Sequence, residues 1–118
     1  MQRIILKSKI SEATVTETKL HYVGSITIDR TLAGKVNILP NEKVEVLNLN
    51  NGARVETYYI EGEPNSGVIC LNGAAARWFE EGDKIIILSY GIFAEGEIKD
   101  FKPKIIRLDK QNREIKQD

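Results

Sequence analysis

Cysteine, histidine, methionine and tryptophan each occur once in the 118 residues, and proline only three times. A single thiol, Cys70, rules out an internal disulfide, and one histidine, His21, with no second thiol leaves no convincing zinc set. Cys70 lies in the apolar run Val68 to Leu71, a setting for a buried, inert thiol. No apolar run approaches the ~20 residues needed to span a bilayer. Lys7 interrupts the amino-terminal stretch Met1 to Leu6 before it could serve as a signal peptide, so a cytoplasmic protein is expected. Nor does either charge dominate: 17 Lys and Arg face 17 Asp and Glu, which argues against nucleic acid or an anionic membrane surface as a partner.

What is present reads as one domain, residues 1–118, large enough for a single core but small for an enzyme that must also enclose a separate organic cofactor. Turn signals recur at Gly34, Pro40-Asn41, Asn50-Asn51-Gly52, Gly62 to Gly67 and Glu81-Gly82-Asp83. Between them the pattern predicts strands over Thr14 to Thr18, Ile26 to Ile28, Lys43 to Leu49, Arg54 to Ile60, Val68 to Leu71, Lys84 to Tyr90 and Lys104 to Leu108. Lys43 to Val46 alternates as a strand with one wet face should, whereas Ile85 to Leu88 is continuously apolar and suits burial on both sides. Helices are expected over about Arg30 to Val36, behind Asp29 as N-cap, and about Ala74 to Phe79, behind Asn72-Gly73. The polar tail Asp109 to Asp118 is expected to fray. The class is therefore mainly β, with strands at sandwich or barrel spacing.

One dipeptide carries more chemistry than its surroundings. Gly24-Ser25, in the stretch His21-Tyr22-Val23-Gly24-Ser25, enters a predicted strand, and alone it is ordinary turn material. The Ser25 hydroxyl can, however, attack the Gly24 carbonyl and exchange the amide for an ester. Elimination then leaves a dehydroalanine that hydrolyses to a pyruvoyl group, a ketone that no standard side chain supplies and that can form a Schiff base with an amine. Gly24 lacks a Cβ, so its carbonyl can be approached closely. Three further groups stand out: Lys9, the run Arg54 to Tyr58, and Asn72-Gly73-Ala74-Ala75-Ala76-Arg77-Trp78. On residue type alone, Thr57 is a strand former, Tyr58 an aromatic packing residue, Lys9 and Arg54 solvated charges, and Asn72 to Ala76 a capped helix start. His21 reads as structural.

Taken together, these motifs resemble the pyruvoyl-dependent aspartate 1-decarboxylase family nearly end to end. The resemblance rests on Lys9, Tyr22 to Ser25, Asp29, Asn51-Gly52, Arg54, Thr57-Tyr58, Asn72 to Ala76, Gly82-Asp83 and Pro103. Departures fall at permissive places such as Val23 and the charged tail. The resemblance implies a six-stranded double-psi β-barrel with short helices. It also implies self-cleavage into a β chain of residues 1–24 and an α chain of residues 25–118 headed by a pyruvoyl group from Ser25, and conversion of L-aspartate to β-alanine and CO2 for pantothenate and coenzyme A synthesis. Neither pyridoxal phosphate (PLP) nor metal is implied. Thr57 is assigned the donor to the oxyanion of Gly24 during processing, and Tyr58 the proton donor. Lys9, Arg54, Thr57, Asn72, Gly73, Ala74 and Ala75 are assigned to substrate binding.

In a regular strand Arg54 and Tyr58 share a face and Thr57 points the other way. Either a bulge re-aims one of them or different copies serve different sites; the homotetramer with intersubunit active sites that the resemblance implies answers to the second. The rival class is a non-enzymatic β-barrel binding module, which would have no need of Gly24-Ser25, Thr57, Tyr58 and Asn72 to Ala76 together.

Overall fold

Period-two alternation builds the sheet, and short polar interruptions end its strands. In the computed structural model, which describes residues 1–116, the elements in chain order are β1 (Gln2–Thr14), β2 (Glu17–Lys19), β3 (Ser25–Asp29), α1 (Arg30–Lys35), β4 (Lys43–Asn48), β5 (Arg54–Gly62), β6 (Ile69–Asn72), a 3-10 helix (Gly73–Trp78), β7 (Lys84–Ala94), α2 (Glu95–Ile98) and β8 (Lys104–Arg107). The strands hydrogen-bond in the order β2-β6-β3-β5-β4-β7-β1-β8. The class is mainly β with short helices, as expected. Six strands form the centre of the order, and β2 and β8, of three and four residues, lie at its ends.

A single stretch of chain joins those two ends. β1 pairs antiparallel with β7 near one end, β2 pairs parallel with β6 at the other, and only Val15 and Thr16 separate them. Val15 N–H donates to Asp83 O (2.9 Å) and Thr16 N–H to Ile69 O (2.8 Å). The Thr16 hydroxyl donates to Ile69 O (3.0 Å) and accepts from Ile69 N–H (2.9 Å). Inside this wrap, Ile10, Ala13, Ile26, Ile28, Val46, Ile69, Leu71, Ile85 and Ile87 lose all exposure, and each large aliphatic side chain contributes about 1.5–3 kcal/mol of transfer free energy. In β4, Val44 and Val46 are buried and Lys43 is exposed, so the predicted wet face is present.

Asp29 caps α1 and ties it to the turn before β6: its carboxylate accepts from Thr31 N–H (2.8 Å), Asn65 N–H (3.0 Å) and Gly67 N–H (2.8 Å). Five features differ from the sequence expectation. The strand expected over Thr14 to Thr18 is broken at Val15-Thr16, where the chain passes from β1 to β2. The first thirteen-residue strand went unpredicted because two register shifts, between Leu6 and Ser8 and between Ile10 and Ala13, interrupt its alternation; Glu12 adopts φ +59° within the second. β7 runs on to Ala94, into the unexpected α2. The helix after Asn72 is 3-10 and spans Gly73–Trp78. The tail does not fray over its described part: Asp109 N–H donates to Arg113 O (2.9 Å) and Ile115 N–H to Arg107 O (2.8 Å). Buried Asn112 bonds Thr14 N, Thr14 O and Gly67 O, each at 2.8 Å, so the tail's polar residues supply anchors; residues 117 and 118 lie outside the described part.

A second polar anchor joins β1, β4 and β7. The Glu42 carboxylate pairs with Lys7 Nζ (2.8 Å), accepts from the Ser89 hydroxyl and accepts from Leu39 N–H (3.1 Å). Burial pushes this carboxyl up, but the bonds from Lys7, Ser89 and Leu39 outweigh it and the net shift is downward from 4.5. A depressed folded-state pKa adds stability that is present above the unfolded value and lost as pH falls through the folded one. Urea unfolding below about pH 4.5 is therefore expected to show a shallower acid decline for Glu42→Gln than for the parent chain, with the variant less stable at pH 7.

Candidate active site

The Gly24-Ser25 junction sits where β3 begins and β6 ends. These strands pair antiparallel, with Ser25 opposite Asn72, Ile26 opposite Leu71 and Thr27 opposite Cys70. Ile26 and Leu71 face the core, so Ser25, Thr27, Cys70 and Asn72 share the other face. Ser25 and Asn72 are each 1% exposed, whereas Gly24 is exposed, so a buried serine adjoins an exposed glycine. The Asn72 carboxamide does not cap the helix that follows it. Its Nδ2 donates to Ser25 Oγ and to Thr27 Oγ1, both at 3.0 Å, while its Oδ1 accepts from Cys70 Sγ at 3.3 Å. Ser25 Oγ also lies 3.3 Å from Val23 O.

Gly73 brings the 3-10 helix against the junction. A Cβ at this position would stand 2.7 Å from Gly24 Cα and 2.9 Å from both Gly24 N and Tyr22 O, and the residue holds φ +68°. Only glycine lets the two backbones meet so closely. Ala74 is exposed and Ala75 half-buried, so the small-residue run lies beside the junction with part of its surface open. Beyond β6, where β2 pairs Lys19 with Asn72, Lys19 Nζ is 5.6 Å from the centre of the Tyr22 ring, a cation–π contact. His21 is exposed.

β5 runs parallel to β3, and their ladder starts at Ile26 opposite Tyr59. Tyr58 and Thr57 therefore flank the start of β3, while Tyr59 turns into the core, where burial pushes its phenol up. The β4–β5 ladder pairs Lys43 with Tyr58, Val44 with Thr57, Glu45 with Glu56, Val46 with Val55 and Leu47 with Arg54, without a register shift. No bulge re-aims Arg54, Thr57 or Tyr58, so the facial conflict expected from spacing stands within one chain. Arg54 shares the Tyr58 face and pairs with Glu45 (2.7 Å). Lys9 belongs to the same outer face through the row Lys9-Leu88-Glu45-Glu56. In the strand order β7, β4 and β5 lie between β1, which carries Lys9, and β3, whereas the β3–β6 and β3–β5 pairings set Asn72, Gly73, Thr57 and Tyr58 beside the start of β3.

Sequence reasoning missed Thr27, Cys70 and Glu45. The signal for the first two was the two-residue step from Ser25 to Thr27 and from Cys70 to Asn72, which puts each pair on one face once the strands are known. Glu45 carried no such signal, because its partner Arg54 depends on the β4–β5 register.

Residues 1–115 match the family model described as Aspartate decarboxylase. The chain is 59% identical over 112 residues to the aspartate 1-decarboxylase of Listeria monocytogenes serovar 1/2a, covering 95% of this chain and 88% of that protein. It is 57% identical over 115 residues to the aspartate 1-decarboxylase of Thermoanaerobacter pseudethanolicus, covering 98% of each. Among solved structures, the rationally designed mkDPBB_sym_86 protein aligns with a TM-score of 0.48 at 15% identity, over 67% of this chain and 91% of that one.

The close approach at Gly73 has a direct consequence for stability. Gly73→Ala is expected to lower the free energy of unfolding by about 1–3 kcal/mol, from the cost of a left-handed non-glycine residue and displacement of the Tyr22–Gly24 backbone, as read by urea denaturation.

Proposed function

The chain belongs to the aspartate decarboxylase family, and on that premise we propose that it is a self-processing cytoplasmic enzyme that converts L-aspartate to β-alanine and CO2 using a pyruvoyl group made from Ser25. The observation that carries this reading is the Asn72 amide donating to a buried Ser25 hydroxyl at a junction pressed by Gly73. A plain turn has no need of that arrangement.

Processing uses groups the chain already holds. Ser25 Oγ attacks the Gly24 carbonyl carbon; the Oγ–C bond forms as the Gly24–Ser25 C–N bond breaks, freeing the Ser25 amine. Negative charge builds on the Gly24 oxygen during the attack, and we assign its donor to Thr57, which flanks the junction on β5. Loss of the Ser25 Cα proton and of Gly24 as a carboxylate, followed by hydrolysis that releases ammonia, converts residue 25 to pyruvoyl. The products are residues 1–24 and 25–118. The cradle fits that group: it is narrow, admits no side chain at position 73 and directs an amide N–H at residue 25.

The pyruvoyl ketone supplies an electron sink for the substrate amine and the bond to its α-carboxylate. The surrounding side chains bind and move protons. Arg54 holds the carboxylate that is retained, its guanidinium fork matching a planar anion, and Glu45 pre-positions it until substrate shares or displaces that pair. Lys9 adds a second cation, the Asn72 to Ala75 segment presents backbone to the substrate, and Tyr58 delivers the proton that replaces the departed carboxyl. PLP and metal have no part in this scheme.

Arg54 and Lys9 on the outer face, away from the Thr57 face, support active sites shared between copies in a homotetramer. So does the apolar stripe Ile4, Tyr90 and Ile92, which are 73%, 44% and 70% exposed on the β1–β7 ribbon, where Ile4 pairs with Ile92.

Intact-mass measurement of the purified chain tests the reading: fragments 1–24 and 25–118, the larger blocked by a keto acid, are expected. Ser25→Ala should remain one folded, inactive chain, and a decarboxylating Ser25→Ala variant overturns the scheme. Tyr58→Phe should still cleave while kcat falls about 10²- to 10⁴-fold. Arg54→Ala should also cleave, with KM for aspartate rising about tenfold or more; an unchanged KM removes Arg54 from the carboxylate contact.

A further inference from the structure

Cys70 has no part in the scheme above, yet it is 3% exposed and touches the group that touches Ser25. Its Sγ lies 3.3 Å from Asn72 Oδ1, closer than its other partner, Leu71 O, at 3.9 Å. A carboxamide in this pocket has two orientations. In one, the NH2 group faces the Ser25 and Thr27 hydroxyls and the oxygen faces the thiol. In the other, the oxygen faces the hydroxyls and NH2 faces sulfur, a weak acceptor. A thiol that keeps its proton is a donor and selects the first orientation, the one the structure holds.

Building on the self-processing reading, we propose that Cys70 is a positioning residue for chain cleavage: its S–H fixes the Asn72 amide so that Nδ2 donates to Ser25 Oγ. That donor matters most in elimination. There the Ser25 Cα proton is removed, the Cα–Cβ double bond forms, and the Cβ–Oγ bond breaks with its electrons leaving on Oγ, now an oxygen of the Gly24 carboxylate. A donor preplaced on Oγ meets the charge as it develops. Burial, and secondarily the charge of Glu17, pushes the Cys70 thiol up, which keeps the proton on sulfur. Thr27, the second acceptor of Nδ2, steadies the same orientation from two residues further along β3, on the face of Ser25.

The experiment follows the appearance of fragment 25–118 by intact mass, with hydroxylamine treatment of samples to reveal the ester that precedes elimination. Cys70→Val keeps an apolar side chain and removes the donor, Cys70→Ala removes the donor without adding a branch, and Cys70→Ser keeps a donor. Both Cys70→Val and Cys70→Ala are expected to slow cleavage about fivefold or more, the kinetic equivalent of one neutral hydrogen bond, and to accumulate hydroxylamine-sensitive ester. Cys70→Ser is expected to stay within about twofold of the parent chain, a rescue that packing alone does not provide. Cleavage of Cys70→Val and Cys70→Ala at the parent rate, or of Cys70→Ser as slowly as Cys70→Val, overturns the proposal and leaves the decarboxylase reading intact. A parent chain that never cleaves overturns that reading, and this proposal with it.

Discussion

The pairing of Ser25 with Asn72 is the joint on which the proposed site depends. It is one rung of the antiparallel β3–β6 ladder, yet it sets a hydroxyl and a carboxamide side by side on a face sealed from water, 1% exposed on both sides. A side-chain hydrogen bond in such a place is not diluted by solvent, and leaving either partner unpaired costs about 1–3 kcal/mol. The bond therefore fixes the orientation of the serine hydroxyl. The ladder ends there because β6 runs into Gly73, whose left-handed backbone turns the chain against Gly24.

Holding that joint requires both strands to be anchored beyond it. The Asp29 carboxylate does so at the far end of β3, gathering three backbone N–H groups from α1 and from the turn before β6. Asn112 repeats the device from the carboxyl-terminal segment, clamping Thr14 and Gly67. Buried polar side chains satisfied by backbone are an economical way for a small domain to fix its loops, because each such bond constrains a specific geometry where apolar contact alone does not. The continuous path from β1 through Thr16 into β2 completes the frame by joining the two ends of the strand order.

Alternation along β5 then separates two duties. Thr57 lies on the face of Val44 and the core, whereas Tyr58 and Arg54 lie on the outer face with Lys43, Glu45 and, along the row, Lys9. Thr57, proposed for making the ketone, and Tyr58 and Arg54, proposed for using it, are thus divided by the pleat of one strand. An unbulged strand cannot aim both sets at one point.

Much of this was legible from residue order. The mainly β class, the Asp29 cap, the wet and dry faces of β4 and the family resemblance all follow from local pattern, because alternation, capping and turn chemistry are short-range properties. Two bulges break the period of the first strand and hide it from residue order, and the polarity of the tail does not mark looseness because Asn112 is an anchor. Which atoms meet was decided only in three dimensions. That Asn72 bonds Ser25 and leaves the helix uncapped, that Cys70 stands behind it, that Glu45 holds Arg54 and that three strands lie between those of Lys9 and Ser25 in the sheet order all depend on strand register and order. Register is a collective result of burying one face of every strand at once, so no single segment of sequence contains it.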